Sequence, residues 1–307
     1  MIIVGAGLAG LLAGAMLRGE CTAIVERQPT IPNNHSAVLR LRSRVVSDVL
    51  NIPFRDVTVL KAVHPYKNPV ADALSYSIKT NSTATLRSVI SASGEVDRRY
   101  IAPPDLIQRM VDSVQSPIEV DTDLGSDFWL EAEGREPIIS TIPMNALMST
   151  LGWEPSSEFN SQPGTNVVAQ LQDVDAYCSL YVPDPGFPGA RISITGDELV
   201  IECYNQQERA DQQWEYVLEQ ALALCGLSKN HLVSWEVRHQ KYAKILPINE
   251  EERKRFILWA SEQFNIYSLG RFATWRPGLL LDDVVNDVRV IQRLANGGSS
   301  YHHKKRG

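Results

Sequence analysis

Three glycines near the N-terminus have the spacing of a phosphate-binding turn. Gly5, Gly7 and Gly10 form a G-x-G-x-x-G pattern between an apolar run that predicts a strand and a segment of small residues that predicts a helix. In such a turn the first glycine allows the tight bend, the second lets a pyrophosphate approach the backbone, and the third lets helix and strand pack closely. The helix would begin at Leu8 and Ala9, whose unpaired N–H groups favour an anion. The pattern therefore predicts a dinucleotide-binding site.

An acidic residue at the expected distance supports this interpretation. Glu26 ends the next predicted strand, 21 residues after Gly5, where its carboxylate would accept hydrogen bonds from ribose hydroxyls. The alternative, a glycine-rich helix packed in a core, gives no reason for Glu26. Arg27, Arg40 and Arg42 come next along the chain and are candidates to steady the adenosine or the pyrophosphate. A solvated basic face is the open alternative for these three arginines.

A second glycine-containing segment lies close to the C-terminus. Residues 268–285 (SLGRFATWRPGLLLDDVV) place Gly270 and Arg271 at the end of a predicted strand and then begin a long helix. A glycine and an arginine followed by a helix N-terminus are features that a flavin site uses.

Together these segments resemble the flavin amine oxidase and UDP-galactopyranose mutase superfamily, in which a late G-R-x-x-x-W/Y segment and an acidic helix start close over FAD. Three further stretches are similar to the same superfamily: 139–143 (ISTIP), 181–193 (YVPDPGFPGARIS) and 242–248 (YAKILPI). The resemblance implies an α/β fold, in which a Rossmann-like FAD-binding domain carries an inserted mixed α+β substrate domain. It also implies that FAD is the cofactor, bound by Gly5, Gly7, Gly10, Glu26, Gly270 and Arg271. The same resemblance implies that the backbone at the start of the last helix approaches the flavin ring, at Leu280, Leu281 and Asp282. The double glycine that the family often has after the acidic residue is absent here.

The substrate half of the site has fewer markers in the sequence. The mutase-like stretch contains Arg191, which the resemblance implies faces the substrate and which could hold an anionic group bidentately. An ion pair on an exposed strand is the alternative for this arginine. Lys241, Tyr242 and Trp275 are candidates to line the flavin face, with packing in a core as the alternative. The sequence has no cluster with metal-ligand spacing, so no metal is expected and the flavin would carry the chemistry.

The composition is that of a soluble globular protein. The 307 residues are 44% hydrophobic and 21% charged, with a net charge of -6, which excludes a disordered, collagen-like or mainly coiled-coil chain and a global positive field. The separated cysteines predict reduced thiols in a cytoplasmic compartment: Cys21, Cys178, Cys203 and Cys225. The apolar residues 1–17 carry the glycine turn rather than a signal sequence, and no membrane contact is expected.

Changes of periodicity divide the chain into alternating parts. Alternation between 57 and 96 predicts strands, with Leu74, Tyr76 and Ile78 on one face, and further strands are predicted between 165 and 204. Helical patterns are predicted at 8–18, 105–114, 207–224, 250–263 and 282–294. The FAD-binding domain is expected to comprise 1–56, 97–150 and 231–307, and the substrate domain 57–96 and 151–230.

Three functions are compatible with these residues. FAD would take a hydride from a C–H bond next to an amine nitrogen, as in amine oxidases. Alternatively, reduced flavin would attack a sugar-nucleotide, as in the mutase, or FAD would be a structural ligand of a non-catalytic protein. The sequence leaves the oligomeric state and the electron acceptor open.

The whole chain also resembles bacteriophage FAD enzymes of thymidine hypermodification. This resemblance implies glycinylthymidine as the substrate and 5-aminomethyl-deoxyuridine as the product, in a host cytoplasm. The substrate would be a small molecule or a modified nucleotide, presented from DNA by duplex opening or base flipping. Local basic clusters are candidates to hold DNA phosphates, with solvated faces as the alternative: Arg40, Arg42, Arg44, Arg98, Arg99, Arg253, Lys254, Arg255, Lys304, Lys305 and Arg306.

Overall fold

The computed structural model describes residues 1–31, 38–81, 95–130, 136–204 and 211–302. In chain order these residues form β1 (Ile2–Val4), α1 (Leu8–Met16), β2 (Ala23–Val25), β3 (Arg40–Leu41), α2 (Val45–Leu50), β4 (Arg55–Val63), α3 (Pro69–Asn81), β5 (Glu95–Ile101), α4 (Leu106–Ser113), β6 (Ile118–Glu119), α5 (Ser126–Leu130), β7 (Ile138–Ser140), α6 (Met144–Thr150), β8 (Ser161–Leu171), β9 (Ala176–Tyr181), β10 (Gly189–Gly196), β11 (Glu198–Tyr204), α7 (Asp211–Leu224), β12 (Leu232–Ile245), α8 (Glu250–Phe264), β13 (Ile266–Ser268) and α9 (Leu281–His302). These strands belong to two sheets.

The smaller sheet is parallel and has the strand order β13-β7-β1-β2-β6. Ile2 of β1 lies opposite Ala23 of β2 and Ile138 of β7, and Ile138 in turn lies opposite Ile266 of β13. Because neighbouring strands are parallel, their carboxyl ends meet at one edge of the sheet, where α/β folds bind their ligands. The glycine-rich turn lies at this edge, directly after β1.

Helices cover both faces of the parallel sheet because successive side chains of a strand point to opposite faces. Ile3 of β1 packs in one core with Leu12 of α1 and Val285 of α9. Its neighbour Val4 packs in another core with Phe256 of α8. These apolar strands, buried on both sides, are typical of a doubly wound α/β domain.

The larger sheet is mixed and has the strand order β12-β8-β11-β10-β9-β4-β5-β3. On β10, Ile192 and Ile194 pack in one core with Trp214 of α7. Arg191 and Ser193 alternate with them and therefore lie on the opposite face, towards the parallel sheet. The structure confirms the predicted fold class, a Rossmann-like parallel sheet combined with a second, mixed sheet.

The segment with Leu74, Tyr76 and Ile78 was predicted as a strand, and this prediction is wrong. It forms the helix α3, whose buried positions Ala73, Ser77 and Thr80 recur at helical spacing. The sequence pattern does not indicate a helix because small residues, rather than large apolar ones, occupy buried positions of α3, and because the apolar Ile78 is exposed. Residues 82–94 of the same predicted stretch lie outside the described part of the chain.

The strand β12, which begins just after the expected domain boundary at residue 231, belongs to the larger sheet. β12 pairs along β8 in the larger sheet, for example Val237 opposite Val167, although 231–307 were assigned to the FAD-binding part. Tertiary packing decides which sheet a long strand next to a domain boundary joins, and the hydrophobic pattern of the strand itself does not specify the sheet. Of the helix predicted at 207–224, residues 207–210 lie outside the described part of the chain.

Stability should respond differently to a methyl group at two glycines of the same turn. A Cβ at Gly10 would overlap the Gly5 carbonyl oxygen, whereas one at Gly7 would have no described neighbour within 4 Å. We expect Gly10→Ala to lower the free energy of unfolding by about 1–3 kcal/mol and Gly7→Ala to leave it nearly unchanged. Urea unfolding without added cofactor measures both, and equal losses in the two variants would contradict this packing.

Candidate functional site

A cavity of about 1100 Å³ lies between the two sheets. Its wall on the side of the parallel sheet includes Gly7, Leu8 and Ala9 of the first turn, and Gly270 and Arg271 from the C-terminal segment. Its wall on the side of the larger sheet is mainly polar: Asn166, Ser179, Tyr181, Arg191, Ser193, Glu202, Tyr204, Gln240 and Lys244. The cavity therefore runs from the predicted dinucleotide turn to the predicted substrate side chain.

The geometry of the glycine-rich turn depends on missing side chains. Gly5 has φ of +101°, which favours glycine, and a Cβ there would overlap the Thr141 hydroxyl. Gly7 is the extended residue before α1, and the space beside its Cα is open among the described residues. The turn thus leaves room for a group that approaches the backbone at the N-terminus of α1.

Glu26 lies beside the turn and holds it in place. Its carboxylate accepts hydrogen bonds from the backbone N–H of Ala6, at 2.7 Å, and of Gln28, at 2.8 Å. Arg27 is exposed, and neither Glu26 nor Arg27 belongs to the described lining of the cavity. The structure therefore places the acidic residue at the turn, as the sequence predicts, with the backbone as its present partner.

The C-terminal segment reaches the same turn. Gly270 has φ of +94°, and a Cβ there would lie 2.8 Å from Cβ of Ala9, so only glycine fits against α1 at this point. The next side chain, Arg271, lines the cavity, and its buried Nε atom has no hydrogen-bond partner among the described residues. Burial lowers the pKa of Arg271, while nearby Tyr204 and Glu202 act in the opposite direction. A buried donor without a partner is costly, which indicates a polar ligand in the cavity.

Two acidic side chains at the start of α9 accept hydrogen bonds from neighbouring groups and are absent from the described lining of the large cavity. Asp282 accepts hydrogen bonds from the backbone N–H and the hydroxyl of Ser43, at 3.0 and 2.6 Å, and from the Arg42 N–H at 3.2 Å. The neighbouring Asp283 accepts from the Leu280 N–H at 2.9 Å. Leu280 and Leu281 line the cavity, and the described lining does not include Asp282.

Arg40 and Arg42 both line the cavity, but the guanidinium of Arg40 is already bound by protein. It donates to the hydroxyls of Ser179 and Thr195 and to the Ile194 carbonyl, and so ties β3 to the middle of the larger sheet. Burial, followed by the charge of Arg191, lowers the pKa of Arg40 to about 10. The structure therefore gives Arg40 a structural role that the sequence did not predict.

Arg191 forms a bidentate ion pair with Glu202 on the neighbouring strand β11. Burial disfavours the charged guanidinium, but the Glu202 carboxylate outweighs it and holds the pKa of Arg191 well above its usual range. The pair lies in the cavity wall with three tyrosines, of which Tyr76 comes from α3 and packs edge to face on Tyr181 with ring centroids 5.6 Å apart. Lys244 lies 5.5 Å from the ring centroid of the third, Tyr204.

Trp275 was a candidate for the flavin face, and the structure places it in a core instead. Its indole N–H donates to the Leu246 carbonyl at 2.8 Å, and its ring packs edge to face on Phe159. The described lining of the large cavity does not include Trp275. Lys241 and Tyr242 lie in β12, and their side chains fall outside the described part of the structure.

Several site residues were missed because they are adjacent only in three dimensions. Glu202 and Tyr204 alternate with buried residues of β11. Given the pairing of β10 with β11, which sets Glu202 opposite Arg191, this alternation could have indicated that both side chains share the sheet face of Arg191. For Tyr76 the sequence gives no such indication, because its segment has the alternating pattern of a strand although it forms the helix α3. Among the described residues there is no group of His, Cys, Asp and Glu able to hold a metal, and no helix long and apolar enough to cross a membrane.

Basic clusters that were candidates to hold DNA phosphates are largely paired with carboxylates. Arg98 pairs with Asp56, Arg99 with Asp97 at 2.6 Å, and Arg253 with Glu250 at 2.7 Å. Arg44 lies 3.7 Å from Asp48, and Lys254 lies 3.6 Å from Glu250. The tail residues Lys304, Lys305 and Arg306 lie outside the described part of the chain.

The fold is similar to several solved structures. A reduced UDP-galactopyranose mutase has a TM-score of 0.71 at 13% identity, covering 96% of this chain and 95% of that one. Glycine oxidase from Bacillus cereus has a TM-score of 0.57 at 14% identity, covering 96% of each chain. Aklavinone-11 hydroxylase, in a complex with FAD and aklavinone, has a TM-score of 0.53 at 12% identity, covering 96% of this chain and 61% of that one.

No protein-family model and no curated protein matches this sequence. At these identities the likeness establishes the fold alone: a Rossmann-like parallel sheet combined with a second, mixed sheet. The function must therefore be argued from the cavity and its side chains.

Alkaline pH should destabilise the protein through a cavity-lining tyrosine. Burial raises the pKa of Tyr76 well above its ordinary value. The folded protein then keeps a proton that the unfolded chain releases above about pH 10, so the stability present below that pH is lost as the pH rises further. We expect Tyr76→Phe to reduce the fall in free energy of unfolding between about pH 9 and 11.

Urea unfolding over this pH range is the measurement, and Tyr66→Phe, at a side chain that is 45% exposed, is the matched control. Equal pH dependence in the wild type and Tyr76→Phe would show that the Tyr76 hydroxyl is solvated in the folded protein.

Proposed function

We propose that the protein binds FAD in the large cavity and uses it as a redox enzyme. The observation that carries the proposal is the continuous cavity from the open Gly7 turn, past the unpartnered Arg271 Nε atom, to Arg191. The turn offers backbone and a helix N-terminus to a pyrophosphate, and Arg271 offers a buried donor to an anionic or carbonyl group. These residues fit a dinucleotide, and the fold likeness to proteins such as the FAD-bound hydroxylase supports FAD as that dinucleotide.

The roles of this chain's residues follow from their positions. Glu26 would keep the turn open and accept from a ribose hydroxyl with the remaining capacity of its carboxylate. Leu280 and Leu281 at the start of α9 would form an apolar wall beside the ring system. FAD, when bound, supplies an acceptor for a hydride from a C–H bond next to an amine nitrogen.

For the substrate we propose an amine with an acidic substituent, in the first place the glycine unit of glycinylthymidine. Arg191, aligned by Glu202, would hold the glycine carboxylate, while Tyr76, Tyr181 and Tyr204 would line the pocket around the C–H bond that loses the hydride. The fold likeness to glycine oxidase supports an amino-acid-like group. Loss of a hydride from the glycine Cα–H bond to FAD would leave an imine, and water would hydrolyse this imine to glyoxylate and 5-aminomethyl-deoxyuridine. Such a reaction would belong to thymidine modification in phage DNA.

A UDP-galactopyranose mutase-like activity is the second candidate. It is favoured by the cationic side chains Arg191, Lys244 and Arg271 around the cavity, which suit a sugar-nucleotide diphosphate. A protein that binds FAD without catalysis is the remaining outcome, and the experiments below separate the three.

Purified protein should contain FAD, and Arg271 should be needed to retain it. The absorbance spectrum should show flavin bands, and the compound released by heat should run as FAD. We expect Arg271→Ala to lose most of the flavin, because one charge-assisted contact is worth about 1.5–3 kcal/mol, roughly tenfold to a hundredfold in affinity. Arg18→Ala, at an exposed arginine outside the described cavity lining, is the matched control.

Circular dichroism of Arg271→Ala should match the wild type. Full flavin content in this variant would contradict the assignment of Arg271, and a colourless wild type that cannot be reconstituted with FAD would contradict the whole proposal.

Glycinylthymidine should bleach the bound flavin under anaerobic conditions. A single-stranded oligonucleotide with one such base is the probe, an oligonucleotide with thymidine is its control, and absorbance near the flavin band is the readout. Arg191→Lys keeps the charge but loses the fork geometry, so we expect its KM to rise about tenfold or more. Absence of bleaching together with turnover of UDP-galactopyranose would instead establish the mutase-like function.

A further inference from the structure

Lys79 makes a contact that none of the roles above uses. Its ammonium group donates to three backbone carbonyls, those of Val182 and Asp184 at 2.8 Å each and of Gly189 at 2.7 Å. The side chain also lies 5.6 Å from the ring centroid of Phe187. All three N–H groups of the ammonium are therefore bound within residues 182–189, which comprise the connection between β9 and β10 and the first residue of β10.

This contact joins α3 to the larger sheet at the C-terminal end of the helix. The N-terminal end is fixed locally, since Asp72 accepts from the backbone N–H of Lys67 at 2.9 Å and of Asn68 at 3.1 Å. Between the two ends, the buried face of α3 consists of small side chains, and Val70 and Ile78 are exposed. Leu74 and Tyr76 are the large side chains of α3 that are partly buried. The three hydrogen bonds of the Lys79 ammonium add a charge-assisted attachment of the helix to the larger sheet.

Tyr76 lies one turn before Lys79 on the same helix and lines the large cavity. Its ring packs on Tyr181 of β9, and the charged and titratable groups that face it are Arg191 of β10, with Glu202 and Tyr204 of β11. The α3 helix thus supplies one side chain to the substrate half of the cavity, whose lining also includes the ion pair that would hold the substrate.

We infer that Lys79 is a positioning residue: by binding the β9–β10 connection it fixes α3 so that Tyr76 forms a wall of the substrate pocket. The inference rests on the proposed function for the identity of the substrate, but the placement of Tyr76 by Lys79 does not. A general role of Lys79 in folding is the competing explanation, and it predicts no special link to Tyr76.

The first experiment needs neither FAD nor substrate. Burial lowers the pKa of Lys79 to about 8, so measurements at pH 7 keep the ammonium charged. Hydrogen exchange of the amides in 69–81 should accelerate about tenfold or more in Lys79→Met, while Lys67→Met, at an exposed lysine before the helix, should match the wild type. Lys79→Gln is the second variant if Lys79→Met does not fold.

Nitration of tyrosine by tetranitromethane at pH 7, located by peptide mass spectrometry, tests the placement of Tyr76 directly. Tyr76 should be protected in the wild type and in Lys67→Met, and nitrated several-fold faster in Lys79→Met. Unchanged exchange in α3, or unchanged nitration of Tyr76, would overturn the inference. Acceleration of exchange throughout the chain would instead support the general folding role.

The second experiment measures the link to the reaction with the glycinylthymidine oligonucleotide. Lys79→Met should raise KM about tenfold with kcat within about twofold, and flavin content should stay at the wild-type level. In a Tyr76→Ala background, Lys79→Met should add almost nothing to KM, because the residue acts through Tyr76. Additive effects on KM would overturn the inference. If no substrate reduces the flavin, the proposed function fails, while exchange and nitration still decide the role of Lys79.

Discussion

The close contact between Gly10 and the carbonyl oxygen of Gly5 determines where the cavity begins. Because Gly10 has no side chain, α1 can start directly over the end of β1, with its N-terminus at the carboxyl edge of the parallel sheet. The same constraint recurs where Gly270 meets Ala9, which brings the C-terminal segment against the first turn. Any larger residue at these positions would separate elements that must touch, so the cavity depends on two backbone approaches that only glycine permits.

The polar wall of the cavity follows from the pleat of the larger sheet. Its strands bury one set of side chains under α7, and the alternate set has to face the parallel sheet. In a purely structural interface these positions would be apolar, since a buried ion pair seldom stabilises a fold more than a well-packed hydrophobic pair. The proposed substrate site would give Arg191 and Glu202 a function, because their pairing keeps the guanidinium charged and oriented in the cavity wall.

The sequence predicts the parts of this structure whose determinants lie within one short window. The glycine turn, Glu26 and the Gly270–Arg271 segment all lie where the motifs place them, because each depends on local backbone geometry. Interactions between distant segments could not be predicted in the same way. The guanidinium of Arg40 is bound by residues about 140 to 155 positions away, and Trp275 is drawn into a core by Phe159 and the Leu246 carbonyl. The wrong strand prediction at Tyr76 has the same origin, since α3 packs against residues about a hundred positions away, Tyr181 of β9 and Gly189 of β10.

The distribution of charge determines how a nucleic acid substrate would have to be recognised. The acidic net charge and the pairing of Arg98, Arg99 and Arg253 with carboxylates remove most of the attraction that the basic clusters would give to a phosphate backbone. Recognition would then come from the cavity, where Arg191, Lys244 and Arg271 are surrounded by tyrosines that can stack on a base. Under the proposed function, such a site would bind a single exposed nucleotide rather than a duplex surface. A base flipped out of the helix, or a free nucleotide, therefore fits the charge distribution better than continuous duplex DNA does.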